Sequence, residues 1–362
     1  MKNASNFRSM LAVAFMLTAA TTWSQTITTP RPPSPAAEIS QTIGISRVTV
    51  NYSRPSVKGR AIWGDLVPYG YNVEPFGSPH QTPWRAGANE NTVLTLSHDA
   101  KIQGKMVPAG KYGLFFAINA DNTGEVVLSK DYRSWGNFFY DPANDQLRAK
   151  IQIREHAMTE QLTYDFLNPT KTSAELVLNW EKKQFPVMIE LATDDIVMAN
   201  AEQELKGAMG FTWQGYSSAA NYSLQNKVNP ALGLTWAERA VAINKNFATL
   251  NTQAGLMRLS GKTQEADKIQ AEALTMATEV ELNAYGYQLL NEGKMDEAIT
   301  AFKDNTTRHP ESANAWDSLG EGYAIKGDKK NAVAAFKKSL TLNPTEATKA
   351  NSMKYLKQLG EM

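Results

Sequence analysis

Residues 313–345 read ANAWDSLGEGYAIKGDKKNAVAAFKKSLTLNPT and contain the most informative spacing in the chain. The spaced residues are Trp316, Leu319, Gly320, Tyr323, Ala332, Phe336 and Pro344. Their three- and four-residue intervals predict two successive helices, because residues at such intervals share one helical face. Gly320 and Ala332 are small where the two helices would cross, and Phe336 would fill the core between them. Pro344 predicts the end of the second helix, since proline has no N–H and its ring clashes with the preceding turn.

This spacing resembles the tetratricopeptide (TPR) motif, a helix pair of about 34 residues. One pair cannot bury its apolar face alone, so the motif predicts an array of neighbouring pairs. Earlier stretches match the motif less and less well towards the N-terminus. We therefore predict an all-α, TPR-like domain over residues 193–362. Its repeats are predicted at residues 211–246, 247–278, 279–312 and 313–346, with a capping helix at residues 347–359.

The first part of the chain has a different period. From residue 41 to residue 192, apolar and polar residues alternate, which is typical of strands with one wet face. The alternating runs lie at residues 48–52, 92–97, 112–117, 125–129, 151–153, 162–166, 176–180 and 185–189. About nine antiparallel strands follow, which favours an all-β sandwich or jelly-roll-like domain. We also expect Gly110 to adopt a positive φ in a turn, and residues 135–140 to form core and an edge strand.

The N-terminus is typical of an exported protein. Lys2 and Arg8 precede a short apolar run at residues 10–20, which predicts a signal peptide over residues 1–24. A Thr- and Pro-rich arm is expected over residues 25–40, because proline favours extended conformations. The mature chain would then be periplasmic or secreted.

Composition excludes several classes of function. The sequence has 37 basic and 36 acidic residues, so no electrostatic attraction to nucleic acid or an anionic membrane is expected. It has no cysteine, which excludes disulfides and thiolate ligands. None of its four histidines stands at metal-ligand spacing. We predict neither a metal site nor a cofactor.

A long irregular region at residues 53–91 carries the pieces Tyr-Ser-Arg-Pro, Lys-Gly-Arg and Trp-Arg-Ala-Gly-Ala-Asn-Glu. Together with Pro-Ala-Gly-Lys-Tyr at residues 108–112, Trp-Gly at 135–136 and Trp180, these resemble the bacterial family called domain of unknown function 2911, over residues 32–191. The resemblance implies an exported protein of Bacteroidetes-type bacteria, often continued by TPR repeats, and implies no particular activity. The segment at residues 71–83 is longer than the corresponding link of that family.

The same loops supply candidate ligand-binding residues, which are Arg54, Arg60, Trp84, Arg85, Asn89 and Glu90. Guanidinium groups bind carboxylate or phosphate, and tryptophan rings offer flat apolar faces. They predict a pocket for a small polar or anionic ligand, such as a glycan fragment. In the alternative, the arginines pair with Glu90, Asp65 and loop carbonyls, and hold the loops over the sandwich.

In the TPR family the first helix of each pair lines a groove. The groove positions transfer to Asn251, Arg258, Asn283, Tyr287, Asn291, Asn314, Asp317 and Glu321. These are rich in amides, which suits an extended peptide of a protein partner. The alternative is that the array only packs on the β domain or serves as a spacer for it.

The function favoured by these patterns is an exported binding or scaffold protein with a protein partner on its TPR array and an unknown ligand on its β domain. The alternative is an envelope hydrolase or carbohydrate-active enzyme with a site in the loops at residues 53–91. No nucleophile elbow, phosphate loop or zinc-protease motif occurs, so no catalytic residue is assigned.

Overall fold

The computed structural model describes residues 34–361. The predicted signal peptide, and the arm as far as residue 33, lie outside the described residues. The chain divides into two compact units. The first contains the described residues up to Gln41, with residues 47–169 and 173–190; the second contains residues 191–361 and the short segments 42–46 and 170–172.

The first unit is built from β-strands. Within the described residues these are β1 Ala36–Ile43, β2 Ser46–Ser53, β3 Asn72–Val73, β4 Gln81–Thr82, β5 Val93–Leu96, β6 Ala100–Ile102, β7 Lys105–Val107, β8 Gly110–Ile118, β9 Thr123–Ser129, β10 Asp145–Gln152, β11 Arg154–Leu167 and β12 Ser173–Glu190. One sheet has the order β1-β2-β5-β8-β9-β10, a second has β11-β12-β6-β7, and β3 pairs with β4. The predicted all-β architecture of this part of the chain is confirmed.

Aromatic side chains join the inner faces of the two larger sheets. The ring of Tyr52 on β2 lies edge-on to that of Tyr164 on β11, with centroids 4.8 Å apart. Phe116 on β8 meets Phe185 on β12 at 5.2 Å. All four rings are buried, so the core lies between the sheets, as the alternating pattern predicts.

Two sequence expectations about strands are wrong. β1 begins at Ala36, inside the range predicted as an arm; it is an edge strand with a largely polar sequence, so its apolar signal is weak. The two runs at residues 176–180 and 185–189 belong to one strand, β12. Glu181 has a φ of 53° between them, and the ladder with β11 shifts register there. A local irregularity therefore interrupts the alternation without ending the strand.

The segment at residues 135–140 is not an edge strand, which corrects a further expectation. Gly136–Phe139 form a short 3-10 helix, and Trp135 and Phe139 are exposed. Gly136 has a φ of 63°, which extended backbone does not allow. Gly110, in contrast, has the expected positive φ, 154°.

The second unit is helical. Its described α-helices are α1 Thr193–Glu204, α2 Trp213–Asn226, α3 Pro230–Ile243, α4 Phe247–Leu259, α5 Thr263–Met276, α6 Glu279–Asn291, α7 Met295–Arg308, α8 Ala313–Lys326, α9 Lys329–Leu340 and α10 Glu346–Gln358. Helices α2/α3, α4/α5, α6/α7 and α8/α9 pack as successive pairs. The TPR-like array predicted for this part of the chain is confirmed.

The motif residues hold the last pair together. A Cβ atom added to Gly320 would lie 2.7 Å from two ring carbons of Phe336 on α9, so only glycine allows this approach. Phe336 is fully buried with Ala332, and Leu356 of α10 packs against them. Helix α10 thus covers the apolar end of the last pair, as an array requires.

Candidate functional site

The irregular loops of the β domain surround a cavity of about 560 Å³. Four of the six predicted ligand residues line it, namely Arg60, Trp84, Arg85 and Asn89. Further lining residues include Ser34, Ser56, Lys58, Asn72, Glu74, Thr82, Asn137 and Trp180. The cavity therefore combines cationic, amide and hydroxyl groups with an indole wall.

Arg54 and Glu90 are not among the lining residues. The Arg54 guanidinium donates from Nε to the Leu162 carbonyl at 3.1 Å and from Nη2 to Thr163 Oγ1 at 2.6 Å. Both acceptors belong to β11. Arg54 therefore holds its loop to the sandwich, which is the alternative that the sequence left open for it.

Arg85 is half-buried beside the cavity. Its Nη1 donates to the Asn89 carbonyl at 3.1 Å, and its guanidinium carbon lies 4.7 Å from the centroid of the Phe138 ring. Burial lowers the pKa of Arg85, although the carboxylate of Glu74 partly offsets this effect. A Cβ at Gly136 would lie only 2.6 Å from Arg85 Nη1, so this glycine leaves the space in which the guanidinium lies.

The other charges at the cavity are more exposed. Arg60 is exposed and donates from Nε to the Val57 carbonyl at 3.0 Å and from Nη2 to the Ser56 carbonyl. Glu74 accepts a hydrogen bond from Asn137 Nδ2, and Asn137 also donates to Thr82 Oγ1 at 3.0 Å. The bonds of Asn137 join two segments that are far apart in the sequence.

Three tryptophans form one aromatic cluster, and two of them, Trp84 and Trp180, line the cavity. Trp84 stacks on Trp180 with ring centroids 5.7 Å apart and an angle of 13°, and Trp63 lies edge-on to both at 5.8 Å. Trp63 Nε1 donates to Glu181 at 3.1 Å. Trp180 is 1% exposed, and its Nε1 is buried with no acceptor in the described part of the chain.

The sequence did not single out Glu74, Asn137 or Trp180 as site residues. Glu74 lies in the segment that is longer than the family's link, and Asn137 directly follows the Trp-Gly motif piece. The long segment and the Trp-Gly piece can both be recognised in the sequence, but the hydrogen bond between Asn137 and Glu74 depends on the tertiary fold.

The arrangement offers little to acid–base hydrolysis. Among the described residues that line the cavity, Glu74 is the sole carboxylate, whereas glycosidases of the common type use two. Asp145 accepts a hydrogen bond from Tyr140 Oη at 2.7 Å and pairs with Arg148 elsewhere in the domain. Over residues 34–361 no cluster of His, Cys, Asp or Glu is suited to a metal ion.

A second cavity, of about 380 Å³, lies across the first helices of three successive pairs, α2, α4 and α6. It is lined by Ser217, Ser218, Asn221, Phe247, Ala248, Asn251, Thr252, Glu281, Ala284, Tyr285 and Gln288. The Phe247 and Tyr285 rings lie 6.2 Å apart at one side of it. Asn251 is the predicted groove residue that lines this cavity.

The other predicted groove residues have different surroundings. Arg258 pairs with Asp267 at 3.1 Å, and the Asn283 side-chain oxygen is buried with no donor in the described residues. Asn291 and Asn314 are exposed.

The groove positions nearest the end of the array are occupied by the array itself. Asp317 is 5% exposed and accepts hydrogen bonds from Asn351 Nδ2 at 2.8 Å and from Ser352 Oγ, both on α10. Glu321 accepts from Asn351 and, at 3.0 Å, from Tyr287 Oη. Tyr287, Asp317 and Glu321 are therefore hydrogen-bonded within the chain, and their contact with a partner stays a prediction.

No helix in the described part of the chain is both long and apolar enough to cross a membrane.

Comparisons with known proteins agree with this architecture. The sequence model of the family described as "Protein of unknown function (DUF2911)" matches residues 34–189, and that of the tetratricopeptide repeat matches residues 313–346. No curated protein matches the chain.

Several solved structures are similar to the chain over less than half its length. YrrB, described as a TPR protein with an unusual peptide-binding site, shares 19% identity over 44% of this chain and 84% of its own, with a TM-score of 0.28. PilF of Pseudomonas aeruginosa shares 20% identity over 43% of this chain and 72% of its own, with a TM-score of 0.29. MamA of Desulfovibrio magneticus RS-1 shares 16% identity over 43% of this chain and 95% of its own, with a TM-score of 0.26.

TPR arrays form extended surfaces that bind other proteins, so the helical unit has the architecture of a protein-interaction scaffold. Residues 34–189 thus match the DUF2911 family model and residues 313–346 match the tetratricopeptide repeat model, in the order that the sequence motifs predict.

Proposed function

We propose that this chain is an exported binding protein whose TPR-like array holds an extended segment of a protein partner in the cavity across α2, α4 and α6. The observation that carries the proposal is the cavity's position on the first helices of three successive pairs. First helices provide the binding groove of the TPR family, which the sequence resembles. Export rests on the predicted signal peptide at residues 1–24.

The chemistry of the lining supports an extended segment. Asn221, Asn251 and Gln288 each carry both a donor and an acceptor, which can pair with the N–H and C=O of a peptide backbone. Phe247 and Tyr285 supply an apolar side for one partner side chain. With Glu281 as its one charged lining residue, the cavity favours a partner segment without strong negative charge.

A photo-crosslinking amino acid placed at Ala284 tests the proposal in the exporting cell. Ala284 is exposed and lines the cavity, whereas Ala271 on α5 is equally exposed and does not. We expect a discrete crosslinked species from position 284 and none from position 271. The Asn251→Ala substitution should weaken the adduct at position 284. The proposal fails if both positions give the same adducts, or if Asn251→Ala leaves them unchanged.

Export is tested separately by fractionation. When the full chain is expressed, the mature protein should appear outside the cytoplasm, and N-terminal sequencing should show that it begins at Gln25. A chain that keeps residues 1–24, or that stays in the cytoplasm, would contradict export without affecting the groove.

A further inference from the structure

The cavity of the β domain has an excess of positive charge at its walls. Lys58, Arg60 and Arg85 line it against the single carboxylate of Glu74. None of the three cations forms an ion pair with a residue between 34 and 361. Arg60 donates hydrogen bonds to backbone carbonyls, and Arg85 donates one to the Asn89 carbonyl. The cavity is therefore electrostatically complementary to an anion.

Arg85 is the most buried of the three cations. Burial removes water from its guanidinium, and one carbonyl and the face of the Phe138 ring replace only part of that hydration. An unpaired, partly desolvated guanidinium gains more from an incoming anion than an exposed one, because solvent screens the contact less.

The guanidinium is also held in place. Phe138 lies at 4.7 Å, the Asn89 carbonyl accepts from Nη1, and Gly136 approaches so closely that any Cβ would collide with it. A planar donor fork fixed in this way loses little side-chain entropy on binding. Asn89 and Gly136 belong to the motif pieces Trp-Arg-Ala-Gly-Ala-Asn-Glu and Trp-Gly, and Phe138 lies two residues after Gly136, so the contacts join pieces that are separated in the sequence.

The cavity can also hold an apolar or flat group. Trp84 and Trp180 line it, and the N–H of Trp180 is a buried donor with no acceptor in the described residues. A buried donor without an acceptor is uncommon in folded proteins and indicates a missing partner, which can be a ligand.

We propose that this cavity binds a small molecule through an oxyanion, carboxylate or phosphate, which pairs with the fork of Arg85 while a flat or apolar portion lies against Trp84 and Trp180. Arg60 and Lys58 stand at the exposed side and attract the anion more weakly. The site belongs to the β domain and is independent of the peptide groove proposed for the helices.

Calorimetric titration of the purified mature protein tests this with three probes of similar size. Benzoate and phenyl phosphate carry an oxyanion on a flat ring, and benzamide is the neutral counterpart of benzoate. We expect saturable binding of at least one anionic probe and at least tenfold weaker binding of benzamide, since a charge-assisted pair contributes about one power of ten or more. The anion that binds more tightly shows whether the site prefers a carboxylate or a phosphate.

Substitutions locate the site. Arg85→Gln should weaken binding of the anionic probe by about tenfold or more. Arg85→Lys should recover part of the lost affinity, because it keeps the charge without the planar donor fork. Arg60→Gln should have a smaller effect. Arg133→Gln is the matched control, because Arg133 is exposed, stacks on Tyr132 at 5.3 Å and does not line the cavity.

The proposal is overturned if neither anion binds the wild-type protein at millimolar concentration, if benzamide binds as tightly as benzoate, or if Arg133→Gln weakens binding as much as Arg85→Gln. Should Arg85→Gln fail to fold, the comparison of benzoate with benzamide and the effect of the exposed Arg60→Gln still decide it.

Discussion

A methyl group added at Gly320 would enter space that the Phe336 ring already fills. The nearest ring carbons would lie 2.7, 2.7 and 2.9 Å from the new Cβ. Favourable carbon–carbon contacts lie at about 3.5–4.0 Å, so the ring would have to move by roughly 1 Å. It has little room to do so, because Phe336 is fully buried and stacks on Tyr355 of α10 with centroids 5.1 Å apart.

Two opposing effects set the size of the change. Alanine is favoured over glycine inside a helix by about 1 kcal/mol. Overpacking a filled core costs roughly 1–3 kcal/mol. We therefore expect Gly320→Ala to lower the free energy of unfolding by up to about 2 kcal/mol.

Urea unfolding of the full chain, followed by far-ultraviolet circular dichroism at the helical signal, measures this change. The signal reports the array, because the described α-helices lie within residues 193–358. Gly255→Ala is the control: its Cβ would approach the two methyl carbons of Leu224 at 2.8 and 2.9 Å, and that half-buried, flexible side chain can turn away. We expect Gly255→Ala to be neutral or mildly stabilising.

A double-mutant cycle identifies the cause. If the ring is the obstacle, Phe336→Leu should relieve the effect of Gly320→Ala by about 1 kcal/mol or more. A stabilising Gly320→Ala, or a loss that is unchanged in the Phe336→Leu background, would refute steric crowding between these two helices.

Three further outcomes are expected. Burial raises the pKa of the Asp317 carboxyl above its unfolded value, so its contribution to stability is largest at low pH and is lost as the pH rises through the folded pKa. The free energy of unfolding of Asp317→Asn, measured in urea at a series of pH values, should therefore increase relative to that of the wild type as the pH rises through the folded pKa. Thr278→Ala removes the hydroxyl that accepts the Glu281 N–H in the capping box at the start of α6, while the Thr278 N–H can still bond to the Glu281 carboxylate; it should cost about 1 kcal/mol in the same assay, whereas Thr278→Ser should retain most of the stability. Gly136→Ala should displace Arg85 and abolish probe binding in calorimetry; retained binding would show that the guanidinium does not need that space.

The helical array could be predicted because its signals are local. Each pair is specified by apolar spacing within about 34 residues, and the small residues lie where the rings of the partner helix approach. Gly320 illustrates this, since the sequence alone predicts a close crossing and the structure places Phe336 against it. The sandwich could be predicted as a class for the same reason, while the polar edge strand β1 gives too weak an alternation to be recognised.

The candidate sites could be predicted only in part. The sequence nominates Arg54 and Arg85 on equal terms, yet one bonds to β11 and the other lies beside a cavity. The difference comes from Gly136 and Phe138, which are about fifty residues away along the chain and reach Arg85 only through the fold. Tertiary contacts of this kind leave no periodic signal.

The contacts of α10 with α8 also affect whether a free peptide could bind to Asp317 and Glu321. Asn351 and Ser352 supply donors to Asp317 and Glu321 as a tethered segment of the same chain. A tether of a few residues gives such a segment an effective concentration in the millimolar range. A free peptide at micromolar concentration would be outcompeted there by roughly a thousandfold at equal intrinsic affinity. Helix α10 therefore behaves as a resident competitor at Asp317 and Glu321.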